Sequence, residues 1–317
     1  MIGEGMKNTI IKIKHMGKMI LDEDYRFRTL YDQGKYDHMS DGRFIRRQWK
    51  YELGKEQSLN LEDPQSFNEK IQWLKLNDRD PVYHILADKV EVKKWVAERL
   101  GEEYVIPTIG IWDNADEVDF EALPERFVIK CSHNSGLGNC VCTDKTKLDY
   151  SLVRNELNRY LEQDYYLLYR EWVYKDIVPR VIAEKYMGPG GTESLVDYKV
   201  HCFSGKPRFI QVIGGRDYKT HNAWQVVYDT DWNEQTWTFG TFHKTDEVIS
   251  QPSCLAELLE AAESLSDGLR YVRVDFYIIN NRIFFGEMTF YPHAGMYRHN
   301  RYFTPEINRF LGDLIIL

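Results

Sequence analysis

The stretch Tyr271–Pro292, YVRVDFYIINNRIFFGEMTFYP, constrains this chain more than any other. Val272, Val274, Phe276 and Ile278 alternate with Arg273, Asp275 and Tyr277, the period of a strand whose two faces meet different surroundings. Asn280 and Asn281 tolerate positive φ and mark a turn, and a second strand, IFFGEMTF, follows. A three-residue turn over Asn280, Asn281 and Arg282 pairs Ile279 with Ile283. That register sets Asp275 opposite Glu287 and Arg273 opposite Thr289. Like charges facing each other across a sheet repel. Arg273 alone leaves one negative charge uncompensated, and Val274, Phe276, Phe285 and Met288 leave little room for bulk water. Either the carboxylates are rim residues, one bonded to Arg273, or a divalent cation lies between them. Mg²⁺ prefers oxygen ligands, usually one or two carboxylates plus substrate phosphates.

The length of 317 residues suits about two or three associated lobes. A formal net charge of −8 argues against nucleic acid as a partner. Cys131, Cys140, Cys142, Cys202 and Cys254 follow no disulfide pattern and read as reduced thiols of a cytoplasmic protein. The basic N-terminus, MIGEGMKNTIIKIKHMGKMIL, has lysines interrupting each apolar run, so it does not span a bilayer. It reads as an amphipathic helix packed on the domain, with peripheral contact to an anionic membrane as the other reading.

Roughly the first hundred residues carry helical patterns. Ser66–Glu69 fits a capping box ahead of IQWLKL, Asp80-Pro81 starts another helix, and Asp88 with Glu91 repeats the capping pattern before VKKWVAERL, which Gly101 ends. From Tyr104 the period changes: YVIPTIGIW, RFVIKCS, RVIAEKYM and YKVHCFSGKPRFIQVIGG read as strands, the last a hairpin turning at Ser204 to Lys206. SLVRNELNRYLEQDYYLLY and SCLAELLEAAESLSDG read as helices. Strands interspersed with helices, without regular alternation, give an α+β class.

Two further stretches carry candidate chemistry. In FVIKCSHNSGLGNCV a strand ends at Lys130 and a loop with Gly136 and Gly138 follows. Backbone N–H groups of such a loop wrap phosphate oxygens, although a plain glycine turn has the same composition. His133, Cys140 and Cys142 lack the second ligand pair that zinc requires. In VIAEKYM an apolar strand leads into Glu184, Lys185, Tyr186 and Met187, and Asp197 opens DYKVHCF. An adenine slot with a ribose carboxylate has these ingredients, and so does an ordinary surface strand.

The order of these pieces resembles the ATP-grasp superfamily, and more closely the TupA-like ATP-grasp family of bacterial polysaccharide biosynthesis. SFNEKIQWLKLNDRDPVY, DKVEVKKWV, EEYVIPTIGIWD, LPERFVIKCSHNSG, RVIAEKYM, DYKVHCFSGKPRFIQV, VRVDFY, GEMTFYP and LGDLI carry the likeness, from about Leu59 to the C-terminus. The resemblance implies an ATP-grasp fold of two α+β lobes gripping ATP, with a helical region 1–103, a lid subdomain 104–187 and a C-terminal subdomain 188–317.

It also implies roles. Lys130 and Lys185 touch the ATP phosphates. The loop from Ser132 through His133, Asn134, Ser135 and Gly136 to Gly138 closes over the triphosphate and is mobile without it. Glu184 and the backbone at Tyr186 and Met187 meet the adenine, and Asp197 the ribose. Asp275, Glu287 and Thr289 hold Mg²⁺. Arg273 stabilises the transferring phosphoryl group, with Lys130 and Lys199 as further catalytic cations. Thr289 stands where the superfamily usually has Asn, a weaker ligand that puts a second metal in doubt, and His293 follows Pro292 where relatives tend to have glycine. His293 reads as a turn residue, with the acceptor substrate as its alternative.

The implied reaction is carboxylate–amine ligation through an acyl phosphate, joining an amino acid or amine to a uronic-acid carboxyl of a glycan or its precursor. Two rivals come from other classes. A glycosyltransferase is suggested by Asp78 and Asp80 as a D-x-D, and a carbohydrate-binding protein by YLEQDYYLLYREWVYKD, whose aromatics suit either sugar stacking or a core.

Overall fold

The computed structural model describes residues 18–188, 195–217, 220, 222–240 and 242–317. Most of the basic N-terminal segment, including the amphipathic helix expected there, lies outside the described residues. The chain divides into two compact units, one ending at Leu59 and the other running from Asn60 to Leu317. In the first, Asp22 caps α1 (Glu23–Asp32) by accepting from Tyr25 N at 2.9 Å, and α2 (Asp41–Leu53) follows. Phe27, Tyr36 and Phe44 form its small core.

The second unit opens with α3 (Phe67–Asn77), and its capping box is as expected: Ser66 Oγ accepts from Glu69 N, and Glu69 Oε2 accepts from Ser66 N at 3.0 Å. Helices α4 (Val82–Ala87) and α5 (Glu91–Leu100) follow, the latter ended at Gly101 with φ 111°. The second capping box is absent. Val90 precedes α5 without a side-chain cap, and Asp88 and Glu91 instead grip Arg180 at 2.6 and 2.9 Å. Asp88 still accepts from Val90 N at 2.8 Å through its other oxygen, so the guanidinium shares Asp88 with the local backbone while it bonds both carboxylates with a full charge.

Two sheets carry the site. The first contains β1 (Thr108–Trp112), β2 (Phe127–Cys131), β3 (Asn139–Cys142) and β4 (Val181–Lys185), in the order β1-β4-β2-β3. Its antiparallel ladders bury Phe127, Ile129, Cys131, Val181 and Ala183 on one face, against α6 (Tyr150–Leu161) through Val153 and Leu157. The expected long helix after Ser151 breaks after Leu161, and a short α7 (Tyr166–Tyr169) follows.

The second sheet contains β5 (Asp197–Phe203), β6 (Lys206–Asp217), β7 (Asn222–Asp229), β8 (His243–Lys244), β9 (Tyr271–Ile279) and β10 (Arg282–Thr289), ordered β10-β9-β5-β6-β7-β8. Val200, Cys202, Val272, Val274 and Phe276 bury one face beneath the Leu258, Ala262 and Leu265 stripe of α8 (Leu255–Ser266). The last helix, α9 (Pro305–Asp313), returns to α3, where Asn308 Oδ1 accepts from Asn68 N at 3.0 Å.

The β9–β10 hairpin reaches the expected pairing by a different route. Its turn has two residues, Asn280 (φ 52°) and Asn281 (φ 59°), so Ile279 pairs with Arg282 instead of Ile283. A bulge at Gly286 then shifts the register by one, which restores Asp275 opposite Glu287 and Thr289 opposite Arg273. The bulge keeps Ile283 and Phe285 on the core face while Glu287 turns to the other. A β-carbon at Gly286 would stand 3.0 Å from Asp275 O, a tight contact, so the close crossing favours glycine.

Candidate functional site

Strand alternation puts Asp197, Lys199 and His201 of β5 on the face opposite the apolar core, and their β9 partners Tyr277, Asp275 and Arg273 share it. An alternating line of charge results. Arg216 Nε donates to Asp197 Oδ2 at 2.7 Å, and Asp197 Oδ1 lies 3.8 Å from Lys199 Nζ. Lys199 donates to Asp275 Oδ2, and Arg273 donates to both Asp275 oxygens at 2.6 and 2.8 Å. Arg273 Nη2 also reaches Glu287 Oε1 at 3.4 Å and Thr289 Oγ1 at 3.0 Å. Three cations thus alternate with the three carboxylates of Asp197, Asp275 and Glu287.

The excess negative charge expected from the hairpin is therefore absent. Lys199, paired with Asp275 across the β5–β9 ladder, supplies the second cation. Burial alone would raise the Asp275 carboxyl, but Arg273 and Lys199 outweigh it and hold it below the usual range. The two carboxylates differ in access: the Asp275 side chain is 4% exposed, that of Glu287 37%. The line continues into a neutral buried network, with His201 Nδ1 2.8 Å from Tyr271 Oη and burial pushing its imidazole down to about 3.

A second charge cluster lies on the four-stranded sheet. Val128 pairs with Glu184 and Lys130 with Ile182, so Lys130 and Glu184 share the face away from the apolar core. Glu184 binds Lys130 at 2.5 Å through one oxygen and Lys93 of α5 at 2.5 Å through the other. Burial would raise Glu184, but the two lysines hold it low. Both oxygens of Glu184 thus serve lysines. Lys185, one residue on, is exposed and pairs with Phe127, so alternation turns it to the face away from Lys130, apart from the cluster it was expected to join. Tyr186 and Met187 follow at the strand end, where Arg126 lies 5.6 Å over the Tyr186 ring.

Lys89 and Lys93 are the cations that the motif reading missed. They stand four apart in DKVEVKK, a spacing that puts both on one side of the helix start, but the stretch had been read only for its helix. Burial pushes the Lys89 ammonium down, and Glu287 opposes that most strongly among its charged neighbours, which include Lys130 and Glu184. Lys89 thus lies within electrostatic reach of both charge clusters. Its Nζ donates to Asn134 O in the glycine-rich loop.

That loop is only partly loose. Ser132 N donates to Arg180 O at 2.8 Å, Ser132 O accepts from Lys89 N at 3.2 Å, and Ser132, His133 and Asn134 are all buried. Ser135, Gly136 and Leu137 are the more exposed half, with Gly136 at φ 73°. Mobility of the whole loop is therefore not what the packing favours; its first three residues are pinned. His133 Nδ1 and both polar atoms of the Asn134 amide are buried without a hydrogen-bond partner among the described residues. Unmatched buried polar atoms beside Lys89 and Lys130 fit a ligand rich in acceptor oxygens.

The donor set of Asp275, Glu287 and Thr289 is all oxygen and fits Mg²⁺. No group of three or more His, Cys, Asp or Glu gathers among the described residues, so the fit is to a metal completed by substrate oxygens. His293 is a turn residue, left-handed at φ 53° together with Ala294. Asp78 accepts from Tyr83 Oη at 3.3 Å and Asp80 from Val82 N at 2.9 Å, so the D-x-D carboxylates are engaged locally. Tyr165, Tyr166 and Tyr174 are buried, as a core reading of that segment requires. Among the described residues, no helix is long and apolar enough to cross a membrane.

Comparison with known proteins adds a family. The profile described as TupA-like ATPgrasp matches residues 69–316. Among curated proteins none matches. Solved structures similar to this chain include D-alanine–D-alanine ligase from Bacillus anthracis complexed with ATP, at 19% identity and TM-score 0.37, covering 65% of this chain and 53% of that one. D-alanine–D-alanine ligase from Helicobacter pylori is similar at 16% identity and TM-score 0.43, covering 80% and 70%. The ATP-grasp ligase PsnB with its minimal precursor is similar at 12% identity and TM-score 0.38, covering 74% and 62%. The chain thus spans about half the length of the first of these, 53%.

Proposed function

Because the chain belongs to the TupA-like ATP-grasp family, α+β enzymes that work with ATP and Mg²⁺, we propose that it is a carboxylate–amine ligase driven by ATP. The observation that carries the reading is Lys89, placed within electrostatic reach of the lysine–Glu184 cluster and of Glu287 in the hairpin. A polyphosphate lying between the two clusters would meet cations along its length and carboxylates for its metal at one end.

In this proposal Lys89, Lys93 and Lys130 neutralise the phosphates, and the loop from Ser132 to Gly138 surrounds them with His133, Asn134, Ser135 and Gly136. The backbone at Tyr186 and Met187 receives the adenine beside Glu184, Lys185 lies at that edge, and Asp197 takes the ribose. Asp275, Glu287 and Thr289 would hold Mg²⁺, which would supply positive charge to offset that of the phosphates. Arg273 and Lys199, released from Asp275, face the charge that spreads over the transferring phosphoryl oxygens. The γ-phosphoryl passes to the substrate carboxylate, and an amine then attacks the acyl phosphate and displaces phosphate. The substrates are, in the same proposal, a uronic-acid carboxyl of a glycan or precursor and an amino acid or amine.

The test is ADP release by the purified full chain across a matrix of uronic acids and amino acids, with hydroxylamine added in parallel. A ligase yields a hydroxamate in the presence of its carboxylate. ADP release without hydroxamate and without amide by mass spectrometry would replace the ligase with a kinase.

A further inference from the structure

Glu171 is 6% exposed; its backbone carbonyl accepts from Tyr174 N at 3.0 Å, but its carboxylate accepts no hydrogen bond and forms no close ion pair among the described residues. Arg170, left-handed at φ 53°, turns the chain after α7 and sends the next residue inward. The one ionic neighbour that bears on Glu171 is Lys75 of α3. Lys75 is itself fully buried, and its Nζ is already taken by two carbonyls: Tyr169 O at 3.1 Å and Ala294 O at 2.8 Å. A buried carboxylate with neither a close cation nor a hydrogen bond is costly, and structures keep such groups where a ligand completes them.

Its position says which ligand. The hydroxyls of Tyr165 and Tyr174 lie within electrostatic reach of Glu171 and of Glu287, and both sit beside Ser135 of the glycine-rich loop. Their rings meet edge to face at 4.8 Å. Tyr291, two residues after β10, also senses Glu171. Glu171 therefore lies among three tyrosines, two of which are also within electrostatic reach of Glu287 in the hairpin.

We propose that Glu171, with Tyr165, Tyr174 and Tyr291 around it, is the subsite for the cationic ammonium group of the amine substrate. The inference rests on the ligase reading for the use made of that amine. Glu171 forms the ion pair it lacks within the chain, and the tyrosine rings add their π faces to the cation. The ammonium gives one proton to Glu171. The freed nitrogen lone pair forms the bond to the acyl carbon, the carbon–oxygen bond to phosphate breaks with its electron pair leaving on phosphate, and the second nitrogen proton leaves with that phosphate. Burial raises the Glu171 carboxyl and lowers the Lys75 ammonium, directions that suit a group accepting a proton near neutral pH.

Dicyclohexylcarbodiimide, an apolar reagent for buried protonated carboxyls, is applied to the full chain with Mg²⁺ and a non-hydrolysable ATP analogue, and labelling is mapped by mass spectrometry. Glycine, L-alanine, L-lysine and ethylamine serve as probes. Labelling at Glu171, slowed at least tenfold by one of the four, is expected. Glu171→Gln should weaken that probe's binding at least tenfold and shift the Mg²⁺-ATP Kd less than twofold. Absence of labelling, labelling that none of the four probes slows, or a parallel loss of ATP binding in Glu171→Gln would overturn the subsite. If the wild type gives no hydroxamate while a probe still protects Glu171, the ligase reading falls and the amine subsite stands.

Discussion

At Glu184 one carboxylate serves two lysines, and the surroundings magnify its removal. Glu184→Gln leaves Lys93 and Lys130 facing each other without compensation in a site only 13% and 21% exposed at their side chains. We expect a loss of about 3 kcal/mol at neutral pH, the scale of a broken buried pair. The pH dependence has a definite sign. The Glu184 carboxyl lies below its ordinary 4.5 when folded, so its stabilisation is complete above that value and is lost as pH falls through the folded value. Melting temperatures between pH 6 and pH 3 should therefore fall less steeply in the variant than in the wild type. At Asp275 and Glu287 the proposed role adds an effect on turnover: Asp275→Asn leaves Arg273 and Lys199 uncompensated and loses stability as Glu184→Gln does, Glu287→Gln at the more exposed carboxylate loses little, and both lose Mg²⁺-dependent turnover by about a hundredfold or more. Unchanged Mg²⁺-ATP titration and turnover in both would remove the metal assignment. The facing of Asp275 and Glu287 was legible, although through a three-residue turn instead of the bulge that produces it. Lys199 was legible as a candidate, but its partner was not, because the partner lies on a strand 76 residues away in sequence.

The β9–β10 hairpin shows what a sequence reveals about an element and what it conceals. Charged and apolar residues alternate so clearly in β9 that its faces are unmistakable. In β10 the core positions run Ile283 and Phe285, then Met288, a change of phase that only a bulge accommodates. Gly286 at the phase change was the available signal, and a three-residue turn explained the same pairing without it. The two routes differ in a measurable way. Gly286→Val places a side chain against Asp275 O and should destabilise by about 2 kcal/mol, lowering the urea midpoint, whereas a regular ladder accepts valine readily. An unchanged midpoint would contradict the bulge. Asp88 and Glu91 misled for a related reason: a capping pattern is local, and Arg180, which claims both, is set beside them only by the folded β-sheet.

On the scale of the whole molecule, the apolar cores of the second unit draw, among the described residues, on Phe67 and residues after it. A chain beginning at Asn60 should therefore fold by itself with one cooperative transition. Circular dichroism and Mg²⁺-ATP titration of residues 60–317 check this; a molten chain would show that the N-terminal unit is needed. The α+β class was readable from the irregular order of strands and helices, and so was the hairpin of β5 and β6. The break between α6 and α7 was not, because the tyrosines that carry the helical pattern past Leu161 are spent on burial instead.

The alternating line from Arg216 to Glu287 makes the resting cleft an inner salt. On the proposed reading, free Mg²⁺ approaching Asp275 meets an ammonium and a guanidinium already seated there, and free ATP meets lysines already seated on Glu184. Neither visitor gains much alone, since each must evict an equal charge. Arriving together they permit a double exchange, in which phosphates collect the cations and the metal collects the carboxylates the cations have left. Self-neutralisation thus acts as an AND gate: the cleft answers to the nucleotide–metal complex and is indifferent to its halves.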